Sequence, residues 1–147
     1  MQHESIRYTV AVIIHDANGN FLILRRNPVR YKGWGFVKGG IEAGETPLQA
    51  MVREVQEEIG IMIHEADFQS LNYKSAYYDN QKKRIVTVEW FTLALSPSTR
   101  LVLEREEWVE YRWACYDEAL YEVAWQTQQK ALQQAGFFLK LGKSAPV

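Results

Sequence analysis

The segment at residues 46–60, TPLQAMVREVQEEIG, constrains this chain more than any other. Thr46 is a favoured N-cap, Pro47 suits the first helical position and Gln49 completes a capping box, so the start of a helix is set to the residue. Gly60 suits the left-handed position that ends one. Between them Leu48, Val52, Val55 and Ile59 recur at helical spacing and predict an apolar stripe that packs on a sheet. Glu54, Glu57 and Glu58 stand at i, i+3 and i+4, away from that stripe, so their side chains converge. Like charges at this spacing cost a helix about 0.2–0.5 kcal/mol per pair, and the dipole near the C-terminus also disfavours anions. Arg53 relieves part of this by pairing with Glu57. Two readings account for such a cluster. One is an ordinary acidic solvent face. The other is a site for a hard cation such as Mg²⁺ or Mn²⁺, which takes carboxylate oxygens, keeps several waters and bridges to phosphates.

The rest of the chain supplies the sheet. Residues 6–15 are rich in β-branched side chains, and Val10-Ala11-Val12-Ile13-Ile14 reads as a strand buried on both faces. A turn at 16–20 leads to a short apolar strand at 21–24, and the two are expected to form a hairpin. Residues 25–38 are expected to be a loop. They hold five cations, Arg25, Arg26, Arg30, Lys32 and Lys38, and no acid, which fits either a solvated basic loop or a phosphate-facing one. Strands follow at 68–78 and 84–95 around a turn, and another at 109–115. Asp117 is expected to cap a short helix, a longer helix runs from about 124 to 135, and 144–147 reads as a loose tail. The order β-β-helix-β-β-β-helix predicts an α/β (α+β) fold, a mixed β-sheet sandwiched between helices, in one domain spanning 1–147.

Composition narrows the function classes. Lys plus Arg is 17 and Asp plus Glu is 18, a net charge of −1, which argues against a protein that coats duplex nucleic acid or an anionic membrane. The one cysteine, Cys115, allows no internal disulfide and makes a zinc cluster an unsuitable reading. The N-terminus carries no basic region followed by an apolar one, and no apolar run reaches membrane-spanning length, so a cytoplasmic setting is expected. His3, His15 and His64 show no ligand spacing. Gly142-Lys143-Ser144 resembles the end of a P-loop, but Gly136 is one residue too far upstream and no strand precedes it. No local signature of a Ser-His-Asp or Cys-His nucleophile is present.

The helix lies inside a longer pattern at residues 39–61, GGIEAGETPLQAMVREVQEEIGI: a glycine, five residues, Glu, seven residues, then Arg-Glu-aliphatic-any-Glu-Glu-any-Gly-aliphatic. Gly39, Glu45, Arg53, Glu54, Val55, Glu57, Glu58, Gly60 and Ile61 fill every specified position. At average residue usage a chance match is on the order of 10⁻¹⁰ per starting position. This is the Nudix box, and the chain resembles the Nudix hydrolases. The strand pattern and the length extend the resemblance, more weakly, over nearly the whole chain.

The resemblance implies a hydrolase acting on a nucleoside diphosphate linked to another group. It implies that Glu54, Glu57, Glu58 and the backbone carbonyl of Lys38 hold Mg²⁺ or Mn²⁺, that Glu54 is a candidate base, and that Arg53 and Glu45 steady the box. Gly39, Gly40 and Gly44 would let the loop approach the metals. Outside the box, the stretch at 103–113 is similar to one in the diadenosine tetraphosphate and dihydroneopterin triphosphate branches, a glutamate four residues before Tyr-Arg-Trp. That picks Glu107 as a further ligand or base, although Trp108 stands where the family usually has His. Arg26 and Lys38 are the preferred phosphate contacts, and Trp34, Tyr77, Tyr78 and Phe138 are candidates for stacking on a base. Lys82-Lys83-Arg84, on a hairpin turn, reads as solvated. The expected activity is metal-dependent cleavage of a phosphoanhydride in a nucleoside triphosphate or dinucleoside polyphosphate. Dihydroneopterin triphosphate and the 5′-triphosphate end of RNA are the alternatives within the class, and a nucleotide sensor without turnover is the alternative outside it. A homodimer is expected from the resemblance and from exposed-looking aromatic residues.

Overall fold

The computed structural model describes residues 5–143, with side chains through residue 140. The tail expected at 144–147 lies outside the described residues. Strand β1 (Ser5–His15) is the spine of the molecule. On one side it pairs in parallel with β6 (Arg84–Ala94) along its whole length, from Ser5 against Arg84 to His15 against Ala94. Strand β5 (Phe68–Asp79) adds to β6 in antiparallel fashion, after one turn of 3-10 helix at Glu65–Asp67.

On its other side β1 meets β2 (Phe21–Arg26) only at His15 against Phe21. The predicted hairpin therefore opens as soon as it has turned. The gap is filled by chain expected to be loop. Short strand β3 (Trp34–Gly35) pairs with β2, and β4 (Lys38–Gly40) pairs with β1. Long-range pairing decides this, because two- and three-residue strands carry almost no local propensity. Strand β7 (Trp108–Ala114) closes the far edge on β2.

The sheet is sandwiched as predicted. Alternate residues of β1 and β2 serve two cores: Val10, Val12, Ile14, Leu22 and Leu24 face helix α1 (Pro47–Ile59). Ala11, Ile13, Phe21 and Ile23 face helices α2 (Tyr116–Glu122) and α3 (Gln126–Lys143). Both capping-box hydrogen bonds between Thr46 and Gln49 are present, and Gly60 takes the left-handed conformation at φ 73°.

Four helix expectations are corrected. The buried face of α1 is Ala50, Met51, Val55 and Ile59, with Leu48 and Val52 at its flank, so the stripe is rotated from the predicted one. Glu58 lies on the buried side, not away from it, because the indole of Trp108 draws it in. Helix α2 is preceded by Cys115 at the N-cap position, and Asp117 sits in its first turn. Helix α3 begins at Gln126 and continues through Gly136, where a Cβ would fall 2.7 Å from the ring of Tyr116. This glycine is a point of close packing within the helix. No helix among the described residues is long and apolar enough to cross a membrane.

Candidate active site

The site is built where β4 meets the C-terminal half of α1. Gly39 lies beneath the Glu54 carboxylate, and a Cβ there would stand 2.0 Å from Glu54 Cδ. Only glycine permits this approach. A Cβ on Gly40 would meet the guanidinium of Arg7 at 2.5 Å. Arg53 binds the box together. Its Nε and Nη2 donate to the two oxygens of Glu45 at 2.7 and 2.9 Å, Nη2 also donates to the carbonyl of Gly40, and Nη1 donates to Glu54 Oε1 at 2.8 Å and Glu57 Oε2 at 3.3 Å. The bidentate pair pulls the Glu45 carboxyl down to about 2 and raises the Arg53 guanidinium above its ordinary value. Glu45 in turn accepts from the Glu42 amide. These two residues fix the loop to the helix.

Glu58 is buried, and its Oε1 accepts from Trp108 Nε1 at 2.8 Å. Burial, with Glu54 in hydrogen-bond contact, pushes its carboxyl well above the usual carboxylate range. The acidic loop reaches the helix through main-chain hydrogen bonds. The amides of Val102 and Glu104 donate to the carbonyls of Ile59 and Glu58, which would otherwise be orphaned at the helix end. That docking brings Glu104 and Glu107 to the box. Arg7, Lys38, Gly39, Gly40, Glu54, Glu57, Glu58, Glu104 and Glu107 line one cleft of about 430 Å³.

Among the described residues, no three acidic, His or Cys side chains are already gathered as a metal cage. Arg53 and Trp108 hold the glutamates instead. The donor set still fits a hard divalent cation. Several carboxylates share one cleft, one of them buried against its acidic neighbours, and the glycine floor leaves room above β4.

A second cleft, also about 430 Å³, continues from the first and shares Arg7, Lys38, Gly39, Glu58 and Glu107 with it. It is basic and aromatic, with Arg26, Arg30, Tyr31, Tyr77, Lys82, Arg84 and Trp125 among its walls. Arg26 is aimed there by a bulge. Arg25 pairs with Glu110 but Arg26 with Trp108, leaving Val109 as the extra residue on β7. Its guanidinium carbon lies 4.8 Å from the ring centre of Trp108 and 4.9 Å from that of Trp125. Burial draws the Arg26 guanidinium below its ordinary value. Burial, with Arg26 and Arg7 nearby, draws the Lys38 ammonium down to about 8, and Lys38 Nζ donates to Tyr77 Oη at 2.9 Å. Arg30 forms an ion pair with Glu107, and Asn27 donates to the main-chain carbonyls of Glu107 and Arg105.

The structure thus brings Lys38, Gly39, Gly40, Glu54, Glu57, Glu58 and Glu107 together, with Arg53 beside them and Arg26 in the adjoining cleft. It does not bring Trp34, Tyr78 or Phe138 to either cleft. Trp34 stacks under Arg112, Tyr78 lies one residue out of phase with Tyr77 on β5, and Phe138 packs against the α2/α3 core. Tyr77, Tyr31 and Trp125 occupy the cleft instead. Arg7, Tyr31 and Trp125 escaped the sequence reading because no local motif marks them, and Glu104 is one of the acids of the 103–113 stretch from which the resemblance picks Glu107. Only strand alternation, which puts Arg7 on one face with Thr9, offered a signal.

Residues 5–135 match the NUDIX domain family. RNA pyrophosphohydrolase of Acinetobacter baylyi is 31% identical, over 77% of this chain and 75% of that protein. Among solved structures, the E. coli dihydroneopterin triphosphate pyrophosphohydrolase superposes with a TM-score of 0.74 at 23% identity, over 89% of this chain and 97% of that one. A C. elegans Ap4A hydrolase superposes with a TM-score of 0.68 at 19% identity, over 90% and 98%. At these identities the two structures bear on the fold alone.

Proposed function

This chain belongs to the Nudix family of pyrophosphohydrolases, and from that premise we propose that it cleaves a phosphoanhydride bond of a nucleoside triphosphate or dinucleoside polyphosphate with Mg²⁺, or Mn²⁺ in its place. Family members are in general dependent on divalent metal. The observation that carries the reading is the joining of a carboxylate-lined cleft to a cation- and aromatic-lined one. Glu54, Glu57, Glu58, Glu107 and the carbonyl of Lys38 would hold the ion, which supplies charge neutralisation and a more acidic water when bound.

The chain's own residues do the rest. Lys38, Arg26 and Arg7 meet the phosphoryl oxygens. The attacking water gives its proton to a carboxylate, Glu54 being the candidate, as its oxygen bonds to phosphorus. The bridging P–O bond breaks, and the leaving phosphate carries its electron pair away. Arg53 keeps Glu54 in place by its Nη1 hydrogen bond. Tyr31, Tyr77 and Trp125 give a base an aromatic wall.

The likeness to an RNA pyrophosphohydrolase favours a second reading, the 5′-triphosphate end of RNA as substrate. The test is hydrolysis and product analysis across nucleoside triphosphates, dinucleoside polyphosphates and 5′-triphosphate RNA with Mg²⁺. Wild type is compared with Glu57→Gln. Activity should fall by two orders of magnitude or more in the variant. Tight nucleotide binding with no metal-dependent turnover on any of these would overturn the reading in favour of a sensor. A cytoplasmic setting and a homodimer are carried as part of the proposal, checked by fractionation and light scattering.

A further inference from the structure

The turn at Lys82-Lys83-Arg84 reads from sequence as solvated, yet Gln81, Lys82 and Arg84 line the same cleft as Arg26 and Lys38. Two basic clusters far apart in sequence converge on one surface. Strand register explains how. Tyr77 pairs with Val86 and Val86 with Arg7, while Asp79 pairs with Arg84 and Arg84 with Ser5. Arg7, Tyr77, Asp79, Arg84 and Val86 therefore share one face of the sheet. Moving outward from the Tyr77 row, where Lys38 is hydrogen-bonded, to the Arg84 row is two strand residues, about 6.8 Å. That step is comparable to the spacing of phosphates along an extended single strand.

The charges at the outer end are only loosely matched within the fold. Lys82 has no ion-pair partner among the described residues. Arg84 Nε is buried without a hydrogen-bond partner, and its nearest carboxylate oxygen, on Asp79, stands 3.9 Å away. The other oxygen of Asp79 is taken by the amides of Gln81 and Lys82. A mononucleotide whose phosphates sit against Arg7, Arg26 and Lys38 leaves the exposed Lys82 and the half-buried, loosely paired Arg84 without a phosphate. A longer chain would not.

Resting on the hydrolase reading, we propose that the β5–β6 hairpin is a track for the phosphodiester backbone of a single-stranded polynucleotide whose 5′-phosphates lie at the carboxylate end of the site. Lys82 and Arg84 then distinguish a polynucleotide 5′ end from a free nucleotide. Lys83, which does not line the cleft, takes no part.

The test is binding of a 3′-fluorescein RNA pentamer bearing a 5′-triphosphate, with GTP as competitor, in EDTA so that nothing turns over. Wild type is compared with Lys82→Ala, Lys82→Glu and, as control, Lys83→Ala. For Lys82→Ala the pentamer Kd should rise about 3–10-fold, at least three times more than that of GTP. The slope of log Kd against log salt should fall by about 0.7, one phosphate contact on a single strand. Lys82→Glu should exaggerate both changes, and Lys83→Ala should match wild type. Equal weakening of pentamer and GTP, or equal effects of Lys82→Ala and Lys83→Ala, overturns the track. If no substrate is turned over with Mg²⁺ but the pentamer difference stands, the hydrolase reading fails and the track survives.

Discussion

Glu58→Gln should make the metal-free protein more stable and nearly blind to magnesium. Glu58 is 6% exposed, in contact with Glu54 and near Glu107, and its Oε1 accepts from Trp108 Nε1 at 2.8 Å. Glutamine has the same shape and keeps that acceptor, so no cavity opens and the indole stays satisfied. What is removed is a carboxyl whose charged form is disfavoured by burial and by the neighbouring Glu54 and Glu107. Replacing a buried ionic group with a neutral one of like volume is often stabilising, and here about 1–2 kcal/mol is expected. For a domain of this size 1 kcal/mol shifts the Tm by about 2–4 °C, so the metal-free variant should melt about 2–8 °C higher. Wild type with magnesium at about 100 times its Kd gains about 2.7 kcal/mol, a rise of about 5–11 °C. The variant, with a ligand lost, should show little of that rise. Differential scanning fluorimetry at one pH, with EDTA and across a magnesium titration, measures both. A metal-free variant that melts lower than wild type and still gains the full magnesium shift would refute the argument that Glu58 is a strained ligand.

Other outcomes follow from the same geometry. Gly39→Ala places a methyl 2.0 Å from Glu54 Cδ and should cut turnover by about 100-fold, by steady-state assay, because the carboxylate must move. Arg26→Ala removes a guanidinium stacked between Trp108 and Trp125 and should cost about 2 kcal/mol, a fall of about 4–8 °C in Tm, besides raising KM. The Glu45 carboxyl is held at about 2 in the folded chain against 4.5 ordinarily. Its contribution is therefore complete above pH 4.5 and lost as pH falls through about 2. Glu45→Gln should flatten the acid limb of Tm against pH in that window and leave the slope above pH 5 unaltered. Arg53→Lys cannot reproduce the two-pronged grip on Glu45 and should lower kcat more than it lowers Tm, measured side by side.

Much of this protein was set by local chemistry that a sequence displays. The Thr46 cap, the Gln49 partner and the Gly60 stop depend on contacts within a few residues, so α1 begins and ends where the residues say. The convergence of Glu54, Glu57 and Glu58 follows from helical periodicity alone. Burial of both faces of β1 follows from its unbroken apolar run. Decisions that depend on distant partners were not visible in the same way. Strands β3 and β4 exist because β1 and β2 diverge and leave amide and carbonyl groups to satisfy. The helix carries a glycine at 136 where the ring of Tyr116 leaves no room for a Cβ. Glu58 turns inward because an indole 50 residues away offers a hydrogen bond. The aromatic wall falls to Tyr31, Tyr77 and Trp125, not Trp34, Tyr78 or Phe138, since the face a ring presents is fixed by register and by loop placement. The joining of two basic clusters into one cleft is likewise a matter of strand pairing, which brings together residues that neither periodicity nor spacing connects.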